Sequence, residues 1–162
     1  MPPYRLQTLL ELRERAKEAA EQAFSQAIKA LETEKAEQKR LEQELETRKA
    51  ERKQKRGAYL DQVMARGAGI NGLDMMSRYE ERLKDEEAQL ARELERQKEA
   101  VAAAEKQVEQ RRREMAEAVK ELQAIEKHRE TWQKQLRAER QAKEELNQEE
   151  IGNALFLMRQ RK

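Results

Sequence analysis

Arg66-Gly67-Ala68-Gly69-Ile70-Asn71-Gly72-Leu73-Asp74 is the stretch that decides the fold. It holds three of the five glycines, and on either side runs a long, charged, helix-favouring segment with almost no other punctuation. Glycine costs a helix roughly 1 kcal/mol against alanine, so three within six positions end one. Asn71 or Asp74 can cap the next helix by accepting hydrogen bonds from its free backbone N–H groups. The simplest consequence is a reversal. The expected fold is all-α: a long antiparallel two-helix coiled-coil hairpin, with a helix over about 5–65, a bend over about 66–74 and a second helix over about 75–158.

The composition agrees. Of 162 residues, 42% are charged and only 4% aromatic, with two prolines, which is the signature of long helices and coiled coils. So few large apolar groups cannot fill a layered core, but they can fill a seam. Along the first helix Ala20, Phe24, Ala27, Leu31, Glu34, Gln38, Leu41 and Leu45 keep a 3-4 spacing, with polar interruptions at Glu34 and Gln38. After the bend Met75, Met76, Tyr79 and Leu83 restart an apolar stripe, and Leu90 and Leu94 follow after a skip. From Leu94 the walk stays in phase through Val101, Ala104, Val108, Met115, Ala118, Leu122, Ile125, Trp132 and Leu136. Disordered chains do not hold phase this way.

A midpoint near residue 70 places position i opposite roughly 139 − i. Leu6 then lies near Trp132, Phe24 near Met115 and Leu31 near Val108. The first helix runs out near residue 137, so the second overhangs. The paired part would span roughly 90 Å at 1.5 Å per residue. The overhang ends in the apolar residues Ile151, Leu155, Phe156 and Met158, a candidate docking tail.

Charge is nearly balanced, 35 basic against 33 acidic residues, and neither half carries the excess of a dedicated nucleic-acid binder. Residues 48–56 form a basic run that would suit phosphate or an acidic partner, but no aromatic lies near to stack a base, so a solvated helix face is expected. With no cysteine, one histidine (His128) and two serines, no catalytic set, metal site or cofactor site is expected, and the chain is not expected to be an enzyme. His128 is assigned to the surface and Trp132 to the seam. No apolar run approaches the ~20 residues that span a bilayer, and no signal peptide is visible, so a cytoplasmic protein without direct membrane insertion is expected.

The opening Tyr4-Arg5-Leu6-Gln7-Thr8-Leu9-Leu10-Glu11-Leu12-Arg13-Glu14 resembles the start of the FliJ/YscO family, stalk proteins of flagellar and virulence-type type III secretion. The run Arg112-Arg113-Glu114-Met115-Ala116-Glu117-Ala118 through Leu122, Glu126, Arg129-Glu130 and Glu149-Glu150-Ile151 is similar to that family's second helix. The resemblance implies a hairpin similar to the central shaft of rotary ATPases, located at the cytoplasmic side of the inner-membrane export apparatus. Its helix-terminal end would enter the pore of the hexameric secretion ATPase. The bend region would communicate with the export gate protein, and export chaperones are further partners. Carried onto this chain, Leu6, Leu9, Leu10, Leu12 and Arg13 become ATPase-facing candidates, and Met75, Met76 and Tyr79 gate-facing ones. The alternative is an export chaperone-escort that holds clients through its apolar tip and tail.

Overall fold

The computed structural model describes residues 2–67 and 69–161, and only the backbone at Ile70. It has two helices, α1 (Gln7–Arg66) and α2 (Ile70–Gln160), packed against each other; no strand occurs among the described residues. The fold is the expected all-α antiparallel helical hairpin.

The bend is tighter than the glycine spacing suggests. Gly67 adopts a left-handed φ of 62°, which ends α1, and its N–H still reaches the Val63 carbonyl at 2.9 Å. Ala68 lies outside the described residues. α2 has already begun at Ile70, so Asn71, Gly72 and Asp74 lie inside it, and neither Asn71 nor Asp74 stands at the cap position. The Gly72 N–H instead donates to the Gly69 carbonyl at 3.0 Å, and the Tyr59 hydroxyl donates to the Gly72 carbonyl at 2.6 Å, tying α1 to the start of α2. Once one glycine in the left-handed region has turned the chain, the others need not break the helix; their cost is carried by packing.

The chain divides into two compact units. The first comprises Gln22–Arg113 and contains the bend. Leu41, Leu45, Leu90 and Leu94 form its buried cluster, with Ala91 packed against it and Ala27 and Val101 buried elsewhere on the seam. Burying each such leucine contributes about 1.5–3 kcal/mol. The 3-4 positions of α1 from Phe24 to Leu45 are all buried or half-buried, including Glu34 and Gln38.

Of the polar seam positions, Gln38 donates to Glu42 on its own helix at 2.9 Å, while Glu34 is engaged across the interface. The Gln97 side-chain amide donates to the Glu34 backbone carbonyl at 2.9 Å and also to its carboxylate. The skip between Leu83 and Leu90 is filled by Glu87, a buried acid that accepts from Arg52 Nε at 2.8 Å.

The second unit comprises Met1–Glu21 and Glu114–Lys162. Its centre is Leu10, with Tyr4 and Leu122 also buried. Arg13 Nη1 donates to Glu121 at 2.6 Å, a third polar link across the seam. Tyr4 packs against Trp132, with ring centroids 4.9 Å apart and the ring planes tilted by 49°. The reason is local: Tyr4 precedes α1 and folds back over the helix start, its carbonyl accepting from the Gln7 N–H, so no helical period predicts it. Leu136 is the last partly buried residue, and 137–161 are exposed throughout, so α2 overhangs as expected.

Arg52 meets Glu87 where 139 − i places it, but farther along the seam two facing pairs lie nearer the bend than that rule gives. Arg13 meets Glu121 and not Glu126, and Glu34 meets Gln97 and not Glu105. A turn made at Gly67, ahead of the assumed midpoint, shifts the register in this direction.

Candidate functional site

Beside the bend, α1 and α2 leave a groove of about 400 Å³. Its apolar floor is Tyr59, Met75, Met76, Tyr79 and Leu83; Arg52, Lys55, Arg56 and Arg82 line it with Glu80. The three gate-facing candidates are therefore brought together. Met75 is 72% exposed and Tyr79 also faces solvent, while Met76 is half-buried.

The groove owes its shape to charge as well as to apolar packing. Glu80 accepts from Arg56 at 3.3 Å and Arg52 at 3.4 Å, with Lys84 at 3.9 Å. Arg52 also holds Glu87, so its guanidinium joins two acids about two helical turns apart on α2. Lys55 donates to the Tyr79 hydroxyl at 3.4 Å and lies 6.0 Å from its ring centroid. Arg82 stands 5.9 Å from the same ring, within cation–π range.

The basic run 48–56 is thus not a uniform solvated face. Arg48, Arg52 and Arg56 reach across to Glu86, Glu87 and Glu80, while Lys49 and Lys53 stay exposed. The seam phase of Leu41 and Leu45 carries on to Arg52, and the skip at Glu87 was its counterpart. Reading the two polar positions as a pair would have found the link.

The residues of the opening motif differ in exposure. Leu10 is 1% exposed and wholly engaged in the seam, and Leu6, Leu9 and Arg13 are half-buried. Leu12, by contrast, is 53% exposed. In the same unit the tail residues Ile151, Leu155, Phe156 and Met158 all lie exposed on α2. His128, assigned to plain surface, shares a hydrogen bond of 2.5 Å between its Nδ1 and the Tyr4 hydroxyl, which links α2 to the start of the chain.

Among the described residues no group of three His, Cys, Asp or Glu could hold a metal, and no helix is long and apolar enough to cross a membrane.

These features define a class: antiparallel two-helix proteins closed by a leucine seam with polar crosslinks, whose exposed apolar residues gather beside the bend and on an overhanging helix. The YscO-like protein family model matches residues 1–162, and the chain belongs to that family, the YscO-like proteins of type III secretion. A Chlamydia trachomatis chain, CT670, solved as a proposed YscO homologue, superposes with a TM-score of 0.82 at 25% identity, covering 100% of this chain and 99% of that one. No curated protein matches.

Proposed function

We propose that this YscO-like protein is the central stalk of a type III secretion or flagellar export apparatus. It inserts in the hexameric secretion ATPase and couples that ring to the export gate. The observation that carries this reading is the family match along the whole chain, joined to a fold of two long packed helices with exposed apolar residues. Such a protein acts by binding. A stalk that prefers one arrangement of ring subunits shifts the ring's equilibrium through differential affinity, and no bond need be made or broken on the stalk.

Within this reading Leu12, with the exposed edges of Leu6, Leu9 and Arg13, contacts the ATPase. The groove of Met75, Met76 and Tyr79 receives the gate protein, and its cationic rim suits a segment carrying acidic groups. The protein works at the cytoplasmic face of the inner-membrane apparatus. The test is co-elution with the purified ATPase hexamer at substoichiometric ratio, together with hydrolysis rate. Complex formation with altered hydrolysis is expected; no co-elution and unchanged hydrolysis overturn the reading.

The exposed tail favours a second reading, a chaperone-escort that holds clients. In that case deletion of residues 147–162 abolishes client capture and leaves ATPase association intact.

A further inference from the structure

The groove beside the bend has two sides that differ in charge. Four cations and one acid line it. At about 100° per residue, Arg56 and Glu80 fall on one side of the seam, and Lys55, Met75, Tyr79 and Arg82 on the other. On the first side the charge is already spent. Glu80 accepts from Arg56 and Arg52, and Arg52 also holds Glu87. On the second side Lys55 Nζ lies 3.4 Å from the Tyr79 hydroxyl and 6.0 Å from the ring centroid, so it stands off the oxygen end of the ring. Arg82 Cζ is 5.9 Å from the same centroid. Among the described residues no acid lies within ion-pair distance of Lys55 or Arg82. Up the seam, Lys55 also borders a smaller hollow with Glu51 and Glu86, but Glu86 contacts Arg48 at 3.6 Å. Two uncompensated cations therefore share one ring, beside Met75 at 72% exposure.

We propose that this second side takes a short acidic segment of a partner protein, with an apolar side chain set on Met75 and Tyr79 and carboxylates on Lys55 and Arg82. That the partner is the gate protein rests on the stalk reading given above; the chemistry of the segment does not. The groove, about 400 Å³, has room for a few side chains and not for a whole helix, so the segment is short. Methionine side chains re-pack around anchors of different shape, so the apolar residue is loosely specified and the acids give the selection. A nucleic-acid strand fits less well. It needs a track of cations along its phosphates and successive rings to stack its bases, and here two free cations serve one exposed ring.

The magnitudes divide the work. An exposed charge pair changes affinity by about two- to fivefold, and a buried apolar anchor by more than about tenfold. The contact is thus held by the anchor and selected by charge, and it weakens with salt.

The experiment is methyl NMR of the full chain labelled at its methionines, which locates weak binding as well as detecting it. The probes are a synthetic peptide with one phenylalanine flanked by glutamates, the same peptide with glutamines in their place, and an oligothymidylate. The acidic peptide is expected to shift the Met75 and Met76 methyl signals and to leave Met115 and Met158 in place. Lys55→Gln and Arg82→Gln should each weaken it by about two- to fivefold, and the pair of changes together by about tenfold. Arg56→Gln, whose charge Glu80 already holds, should cost less than either, and Lys53→Gln, outside the groove, should change nothing. All of these side chains are solvent-exposed, so the fold is not at stake. The proposal is overturned if the acidic peptide leaves Met75 and Met76 unmoved, if the glutamine peptide binds as well, if the Lys55 and Arg82 changes have no effect, or if the oligothymidylate binds more tightly. The cytoplasmic domain of the gate protein is titrated in parallel. A domain that binds equally well to the double variant overturns the proposal and leaves the gate reading standing. A domain that does not bind, beside a peptide that does, supports the proposal and overturns the gate reading.

Discussion

Arg52 Nε lies 2.8 Å from a Glu87 carboxylate oxygen in the middle of the helix–helix seam, where the two side chains are 16% and 10% exposed. This pair occupies a position that the apolar pattern leaves blank on both helices. It sits between the leucine cluster and the groove beside the bend, and Arg52 lines that groove while also holding Glu80. A seam of leucines alone tolerates sliding by a heptad; a charged pair that must meet its partner does not.

Removing one member leaves the other charge partly buried and unpaired. Glu87→Ala should destabilise by about 2–3 kcal/mol, the lower side of what breaking a buried pair costs, since some exposure remains. Glu86→Ala, which touches only the Arg48–Glu86 contact at 3.6 Å between well-exposed partners, should stay within about 0.5 kcal/mol. The double change Arg52→Met with Glu87→Leu should recover most of the loss. Chemical denaturation of the variants checks the series, and equal losses at the two sites would refute the seam role.

At the bend, Gly67→Ala forces a Cβ into the left-handed region and should cost about 1–2 kcal/mol. Gly69→Ala, where an added Cβ meets nothing and φ is ordinary, should be close to neutral. Thermal melts at several protein concentrations test both, because a chain that cannot turn should form extended intermolecular pairs whose melting depends on concentration.

The opening motif can be dissected by exposure. Leu10→Ala removes a side chain that is 1% exposed and should cost about 2–4 kcal/mol. Leu12→Ala should leave stability within about 0.5 kcal/mol and weaken co-elution with the ATPase ring. Denaturation and binding measured on the same two variants separate packing from docking. A Leu12 variant that loses stability and keeps binding contradicts the assignment.

Two exposed helix-surface acids give a pH prediction. The Glu37 carboxyl is held below its ordinary value of 4.5, first by the hydrogen bond from Arg40, and Glu109 likewise by the one from Arg112. Depressed carboxyl pKa values mean that the pairing is fully present above the ordinary value and is lost as pH falls through the lowered one. Carboxyl-carbon NMR titration should show both groups titrating late on acidification. Arg40→Gln should return Glu37 to the ordinary range and leave Glu109 where it is.

The sequence by itself determined the helices, their reversal near the glycines and the free end of α2. The reason is that these depend on local quantities: backbone freedom at Gly67, helical phase from Phe24 to Leu45 and from Leu90 to Leu136, and a count of how much helix remains without a partner. Only the tertiary structure decided the register and the fate of the charges. Arg52 and Lys53 are adjacent and chemically alike, and the phase of Leu41 and Leu45 points to Arg52 alone, yet that its guanidinium bridges both Glu87 and Glu80 is settled only when the helices pack. Tyr4 shows the same limit. It lies outside the helical period, and its contacts with Trp132 and His128 exist because the two helices bring the start of the chain and a point 124 residues later side by side.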